Sequence, residues 1–255
     1  MEYEIYGASN PSVILLIHGA LVTQSMWKHQ VEFLEKDFKV VTCNLPEHGG
    51  SPTVSGTYTV ENLAQALLNL VDFLKIDRAD ICGHSLGGMV AQFFAYQHPQ
   101  RVKHLILAET AFGTRNSFYE KLMTGFSQFL LRFVTKRQII TLSAKSYGSL
   151  KEETGAYLTD EMNRYAKKQI LRVMSAALNY RGRAYLSQIK VPTLIMVGED
   201  NKTTHRQARQ MHKEILNARL VTVSRANHLL NLDNPGDFNR CLKAFISDPS
   251  STLKI

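Results

Sequence analysis

The sequence predicts an α/β protein with a mostly parallel, doubly wound sheet and an inserted helical cap. First, short apolar runs alternate with longer amphipathic segments, as in βαβ units. Second, residues 112–183 show helical spacing of apolar side chains but no strand pattern. Third, a Gly-rich turn, GHSLGG at 83–88, joins a predicted strand to a predicted helix. We therefore expect a core formed by residues 1–111 and 184–255, and a cap formed by residues 112–183.

Six apolar runs predict the strands of this sheet. Strands of a parallel sheet are buried on both faces, so they read as nearly continuous apolar stretches. The predicted strands are 13–17, 38–43, 79–83, 102–108, 191–197 and 219–223. Right-handed crossovers between them place helices on both faces of the sheet. Ligands are then expected at the carboxyl ends of the strands.

Amphipathic segments between these runs predict the helices. Core helices are expected at 23–36, 59–76, 86–97 and 235–246, and cap helices at 117–134 and 160–178. Thr59 is the expected N-cap of the second core helix, because its hydroxyl can accept a bond from a first-turn backbone N–H. Six apolar side chains of the first cap helix are expected to form cap core, with a substrate wall as the alternative. They are Phe118, Tyr119, Leu122, Met123, Phe126 and Phe129.

The net charge of +8 lies entirely in the predicted cap. Residues 112–183 contain 13 Lys and Arg but only five Asp and Glu, whereas the rest of the chain has 17 of each. We favour a solvated basic face as the interpretation. Attraction of an anionic substrate or of an acidic membrane surface are the alternatives. No nucleic-acid-binding motif accompanies the charge, so no nucleic-acid partner is expected.

Cysteine usage and hydropathy indicate a cytoplasmic protein. No apolar run approaches the roughly 18–20 residues of a membrane span, so no transmembrane segment is expected. The first residues lack the basic and apolar regions of a signal peptide. Cys43, Cys82 and Cys241 form no CxxC pair. We expect buried free thiols in a reducing compartment, with no disulfide, metal or cofactor.

Ser85 is the candidate nucleophile. It lies in Gly83-His84-Ser85-Leu86-Gly87, a G-x-S-x-G motif between a strand and a helix. Such a turn exposes the serine hydroxyl at a helix N-terminus, where the helix dipole favours negative charge. An ordinary Gly-rich turn is the alternative, and the flanking strand and helix argue against it.

Two backbone N–H groups are candidate oxyanion donors. His18-Gly19 ends the first predicted strand, and the loop that follows can offer the N–H of Ala20. The N–H of Leu86, next to the candidate nucleophile, is the second donor. His18 itself is expected to brace the loop rather than to react.

His228 is the candidate general base. It follows the last predicted strand, precedes the C-terminal helix and comes after Ser85 in the chain. An imidazole there can take the serine proton and return it to the leaving group. His84, although adjacent to Ser85, is expected to point away along the turn as a structural residue.

Together these motifs resemble the α/β-hydrolase family in its form with a helical cap. The resemblance covers nearly the whole chain: the HG loop, NLPEHGGS at 44–51, the GHSLGG elbow, VPTLIMVGED at 191–200 and His228 with NLDNPGDF after it. It implies a Ser-His-acid mechanism and a sheet of the eight-stranded type, here expected without its first strand.

The motifs leave the acid of this mechanism open. Family members usually carry an aspartate in a G-x-x-D turn, and that register from Gly198 selects Asn201. Asp200 serves if the turn shifts by one residue. Some relatives place the acid after the preceding core strand, which here ends in Glu109. We favour Glu109, with Asp200 as the alternative and Asn201, a neutral group orienting the histidine, as the third.

The resemblance implies a serine hydrolase that acts on a small-molecule substrate. The expected reaction cleaves an ester, thioester or lactone of a small or medium acyl group through an acyl-serine intermediate. Carbon–carbon bond hydrolysis and acyl transfer are alternatives on the same triad. A ligand-binding or signalling module with weak hydrolase activity is an alternative of another class, and Asn201 is the residue that supports it.

Overall fold

A seven-stranded sheet lies at the centre of the computed structural model, which describes residues 1–54, 56–114, 118–147 and 151–249. The side chains of residues 118–121 and 127 are not described. The strands are β1 (Tyr3–Tyr6), β2 (Val13–Ile17), β3 (Lys39–Cys43), β4 (Ala79–His84), β5 (Val102–Ala108), β6 (Thr193–Gly198) and β7 (Ala218–Val223).

The sheet is mostly parallel and doubly wound, as the sequence predicts. Its order is β1-β3-β2-β4-β5-β6-β7, and β1 alone runs antiparallel, pairing with β3. Chain connections run outward in opposite directions from β2 and β4, so the topological switch point lies between these two strands. In open α/β sheets ligands bind outside the carboxyl ends of the strands at such a point.

Ten α-helices flank the sheet or extend from its edge within the described ranges. They are α1 (Lys28–Leu34), α2 (Val60–Phe73), α3 (Leu86–Gln97), α4 (Phe118–Leu131), α5 (Lys136–Tyr147), α6 (Glu152–Asn163), α7 (Lys167–Asn179), α8 (Lys202–Glu214), α9 (Leu230–Asp233) and α10 (Pro235–Ser247). Thr59 caps α2 as predicted, because its Oγ1 accepts from the backbone N–H of Asn62 at 3.3 Å.

Burial on both faces explains why apolar runs predict the central strands. Every residue of β4 and β6 is buried. Cys43, Cys82 and Cys241 are buried free thiols. Within the described part of the chain, no helix is both long and apolar enough to cross a membrane.

Strand β1 and the helices α5, α8 and α9 have no counterpart in the sequence prediction. Strand β1 is four residues long and pairs at the sheet edge, so it lacks an apolar run that would indicate it. Helix α8 is strongly polar, and Ala208 and Met211 are its only buried residues. For β1 and α8, pairing or packing with the rest of the sheet, rather than hydrophobic periodicity, determines the element.

The cap segment between β5 and β6 consists of α4 to α7. The expectation of one helix over 160–178 is wrong, because the chain breaks between α6 and α7. Ala166 is extended there, and its N–H donates to the side chain of Gln169 at 2.9 Å. The break buries Tyr165, whose ring centroid lies 5.5 Å from that of His48 in the core.

The prediction that six apolar residues of the first cap helix form cap core or a substrate wall is also wrong for four of them. Leu122, Met123, Phe126 and Phe129 are exposed at the surface. The side chains of Phe118 and Tyr119 lie outside the described residues.

Candidate active site

Ser85 occupies a strained turn between β4 and α3. Its φ of 50° and ψ of −113° lie outside the regions that non-glycine residues usually adopt. The N–H of Ser85 donates to the carbonyl of Ala108 at 2.9 Å, which anchors the turn to β5. A Cβ on Gly83 would lie 2.3 Å from the carbonyl oxygen of Gly87, and one on Gly87 would lie 2.4 Å from that of His18. The spacing of the motif therefore follows from backbone packing around the serine.

His228 reaches Ser85 from the loop after β7. Its Nε2 lies 3.2 Å from Ser85 Oγ. The backbone N–H of His228 donates to Asn227 Oδ1 at 2.9 Å, and the N–H of Asn227 donates to Asp233 Oδ2 at 2.8 Å. These bonds hold the loop, so the imidazole is oriented before a substrate arrives.

Glu109 brings a buried carboxylate to the far side of the imidazole. Its Oε2 lies 3.4 Å from His228 Nδ1, and its side chain is fully buried. The N–H of Gly198 donates to Oε1 at 2.5 Å, and Thr204 Oγ1 donates to Oε2 at 2.9 Å. Burying an unpaired carboxylate is costly, and these donors together with the histidine offset that cost.

Asn201 lies between the carboxylate and the imidazole. Its Nδ2 donates to Glu109 Oε2 at 2.6 Å and is 3.3 Å from His228 Nδ1. When Nδ1 of His228 carries its proton toward Glu109, it has no lone pair free for the amide. Asn201 is then a donor to the carboxylate. The side chain of Asp200 is exposed, and among the described residues nothing joins it to His228.

Ala20 and Leu86 both lie close to Ser85. Ala20 follows Gly19, and a Cβ on Gly19 would come within 3.3 Å of Ser85 Cβ. Leu86 is the first residue of α3, where an N–H has no acceptor within the helix. In the described chain neither N–H donates to another protein group. By contrast, the neighbouring N–H of Leu21 is occupied, since it donates to His48 Nε2 at 3.0 Å.

Buried histidines surround this centre and are held neutral. Burial lowers the pKa of His48 to about 4, and burial followed by repulsion from His228 lowers the pKa of His84 to about 3. Burial also lowers the pKa of His18, whose Nε2 accepts from the N–H of Leu45 at 2.9 Å. Neutral rings brace the loops without adding positive charge beside His228.

The expectation that His84 points away along the turn is wrong. Its Nε2 donates to the carbonyl of His228 at 2.7 Å, and the two ring centroids are 5.0 Å apart. The residue before Ser85 therefore holds the backbone of His228. The GHSLGG motif alone does not indicate this contact, because the partner, His228, lies 144 positions later in the chain.

The cap closes a cavity over Ser85 and His228. The cavity has a volume of about 190 Å³, and its cap wall consists of Ser143, Tyr147, Leu158, Met162, Met174, Ala177 and Leu178. The Tyr147 ring centroid lies 4.4 Å from that of His228. Partial burial, and then the charge of Glu109, raises the pKa of Tyr147. No sequence pattern identifies Tyr147, since its role depends on how the cap folds over the core.

Comparison with known proteins finds that the chain is similar to hydrolases. Residues 12–235 match the family model described as alpha/beta hydrolase fold. A 3-oxoadipate enol-lactonase of Acinetobacter baylyi is 23% identical over 247 residues, covering 96% of this chain and 92% of the relative. A poly(3-hydroxyalkanoate) depolymerase of Ectopseudomonas oleovorans is 27% identical over 198 residues, covering 76% and 70%. The crystal structure of the enol-lactonase from Burkholderia xenovorans superimposes with a TM-score of 0.85 at 26% identity, covering 97% of this chain and 96% of that one.

Proposed function

The chain belongs to the α/β-hydrolase family and is a hydrolase, and on that premise we propose that it cleaves a carboxylic ester, thioester or lactone through an acyl-Ser85 intermediate. The observation that carries the proposal is the alignment of Ser85 Oγ, His228 and Glu109. Their separations are 3.2 Å on one side of the imidazole and 3.4 Å on the other. Such contacts are often long without substrate and shorten when it binds.

In the proposed first step, Ser85 Oγ attacks the carbonyl carbon while its proton passes to His228 Nε2. The carbonyl π electrons move to oxygen, and the N–H groups of Ala20 and Leu86 donate to that oxyanion. The carboxylate of Glu109 stabilises the imidazolium. His228 then protonates the leaving alkoxide or thiolate as its bond to carbon breaks.

Water completes the proposed cycle. His228 Nε2 accepts a proton from water, which attacks the acyl carbon, and the collapsing intermediate returns the proton to Ser85 Oγ. The products are a carboxylic acid and a free serine. For a lactone the acid and the alcohol remain on one molecule.

The cavity supports a small or medium acyl group as the substrate class. Its volume of about 190 Å³ is below the roughly 300 Å³ at which drug-sized pockets begin. Leu158, Met162 and Met174 give the cap wall an apolar character, so the acyl or ring portion is the part expected there. Enol-lactones belong in a substrate screen because several similar proteins are named enol-lactonases.

A fluorophosphonate probe with intact-mass readout tests the nucleophile. We expect one adduct on the wild type and none on Ser85→Ala. Loss of the serine should reduce ester turnover by on the order of 10⁶-fold. An unlabelled wild type, or equal labelling of Ser85→Ala, contradicts the proposed function. A panel of esters and lactones graded by acyl length then tests for turnover. Labelling of Ser85 without turnover of any of them is the result expected of a ligand-binding module.

A further inference from the structure

Helix α4 carries its apolar side chains on the outside of the cap. Five of them are between 42% and 61% exposed, and Phe133, just beyond the helix, is 72% exposed. We call this surface the α4 stripe: Leu122, Met123, Phe126, Phe129, Leu130 and Phe133. Residues 122, 126, 129 and 133 are three or four positions apart, so they share one face. On the opposite side Thr124 is buried, and its hydroxyl donates to the carbonyl of Thr114 at 3.0 Å.

This polarity is the reverse of an ordinary surface helix. Such a helix turns its apolar face to the core and its polar face to water. Single exposed apolar residues are common, and Phe73 and Leu216 are examples elsewhere in this chain. A continuous stripe is different, since contiguous apolar patches mark interaction surfaces. Within the stripe the ring centroids of Phe129 and Phe133 are 5.2 Å apart, so the two aromatic side chains cover each other in part.

The chain segment that contains the stripe is rich in positive charge. Between Glu120 and Glu152 the sequence has six Lys and Arg and no Asp or Glu. Arg132 and Arg137, which flank Phe133, are exposed. Neither has a carboxylate partner in the described part of the chain. The Nζ of Lys167 donates to the carbonyl of Arg132 at 2.8 Å, which brings a further cation to the same end of the stripe.

We propose that the α4 stripe docks the cap on the surface of an anionic lipid bilayer. A helix of this kind lies in the plane of the interface, with apolar side chains among the acyl chains and Lys and Arg at the headgroups. The charge decides against a second copy of the chain as the occupant. A two-fold contact would bring the basic residues of both copies into one interface, where they would repel. This docking does not depend on which bond is cleaved at Ser85.

The position of the stripe relates it to the catalytic cavity. A second cavity of about 270 Å³ lies between α4 and α7, and Gln128, Leu131 and Leu171 line it. Met174 and Leu178 line both this cavity and the one over Ser85. The helix that carries the stripe therefore borders a cavity next to the substrate site, although the stripe residues themselves line neither cavity.

Co-sedimentation of the full chain with vesicles tests the proposal. We use phosphatidylcholine vesicles with and without about 30 mol % phosphatidylglycerol, at low and high salt. We expect at least tenfold stronger partitioning onto the anionic vesicles, and a decrease with salt because screening weakens surface attraction. Equal partitioning onto both vesicle types, or none onto either, overturns the proposal.

Two double variants and one control assign the binding to the stripe. Phe129→Ser with Phe133→Ser should lower partitioning at least tenfold, because two large apolar groups no longer enter the bilayer. Arg132→Gln with Arg137→Gln should lower it about 30-fold on anionic vesicles and little on neutral ones. Phe73→Ser with Leu216→Ser, which removes two exposed apolar side chains elsewhere, should leave it unchanged.

Sedimentation velocity examines the competing occupant. We expect the wild type and Phe129→Ser with Phe133→Ser to have the same oligomeric state. A wild-type dimer that this double variant dissociates would show that a second copy covers the stripe, and would overturn the proposal. Far-UV circular dichroism checks that each variant is folded. We expect all of them to fold, because the substituted side chains are exposed.

Discussion

The proposed acid, Glu109, has a backbone as unusual as that of Ser85. Its φ is 46°, and its N–H donates to the carbonyl of Met196 on β6 at 2.9 Å. The conformation turns the side chain from the end of β5 toward the end of β6, where Gly198 and Asn201 donate to it. A non-glycine residue is held in this region only when its surroundings compensate. The strained backbone of Glu109 thus directs its buried carboxylate toward His228.

Replacing Glu109 should have a far larger effect on turnover than replacing Asp200. Glu109→Gln keeps the size of the side chain but removes the charge that stabilises the imidazolium, so we expect kcat to fall by on the order of 10⁴. Asp200→Asn changes an exposed carboxylate and should alter kcat less than twofold. Steady-state ester hydrolysis measures both. A crippled Asp200→Asn beside a nearly active Glu109→Gln would make Asp200 the acid.

Asn201 occupies a place from which a carboxylate can replace Glu109. Its Nδ2 is 3.3 Å from His228 Nδ1, nearly the same distance as Glu109 Oε2. Adding Asn201→Asp to Glu109→Gln should therefore recover at least tenfold of the lost kcat, since a charged acceptor again faces Nδ1. Asn201→Asp alone should be less active than the wild type, because two buried carboxylates then repel. No recovery in the double variant would contradict the proposed geometry.

How far the sequence predicts this site differs from residue to residue. The motifs around Ser85 and His228 have a fixed order along the chain, so local patterns find both. The acid is harder to predict, because Glu109 and Asn201 are 92 positions apart in the chain but both lie beside the imidazole of His228. Local register from Gly198 selects Asn201 and cannot reveal that Glu109 reaches the same ring. Tyr147, and the contact of His84 with the backbone of His228, are missed for the same reason.

At the scale of elements, α6 is linked to the loop that carries His228. Thr154 Oγ1 donates to Asp233 Oδ1 at 2.9 Å, and both side chains are buried. Asp233 Oδ2 in turn accepts from the N–H of Asn227, next to His228. Burial raises the pKa of Asp233, so this carboxylate depends on its donors to remain charged. The carboxylate of Asp233 therefore connects helix α6 of the cap to the loop that carries His228.

Thr154→Val should weaken that link without changing the side-chain volume appreciably. Asp233 then loses one donor in a buried setting, so we expect the free energy of unfolding to fall by about 1–3 kcal/mol. Urea denaturation measures this loss. Thr159→Val is the matched control on the same helix, because Thr159 Oγ1 donates only to the carbonyl of Gly155 one turn earlier. Equal losses in the two variants would contradict a particular role for the link.

The elements that hydrophobic patterns predict are those that the core buries. Strands β2 to β7 lie close to their predicted positions. All of them except the edge strand β7 are largely buried, which requires apolar residues through most of their length. Strand β1 and helix α8 are determined by contacts at the margins of the sheet, which short or polar sequences do not reveal. Helix α4 has a helical pattern that predicts its form correctly. Its face is misassigned because periodicity does not indicate which side of a helix meets the core.

At the scale of the whole molecule, burial of neutral histidines couples the fold to pH. Burial lowers the pKa of His48 from 6.5 to about 4 and, with His228, that of His84 to about 3. Below pH 6.5 the unfolded chain binds protons that the folded chain does not. The stabilisation is therefore complete above pH 6.5 and decreases as the pH falls toward these lowered values.

His48→Gln should flatten this dependence. Between pH 6.5 and about 4, each such histidine adds roughly 1.4 kcal/mol per pH unit to the slope of the unfolding free energy, and the variant should lose one such contribution. A glutamine amide can still accept from the N–H of Leu21. Urea denaturation at a series of pH values measures the slope. His29→Gln is the control, because the side chain of His29 is 47% exposed and its removal should leave the slope unchanged. If His48→Gln retains the wild-type slope, a proton enters the folded core at His48 in acid, and the ring is not held neutral by burial.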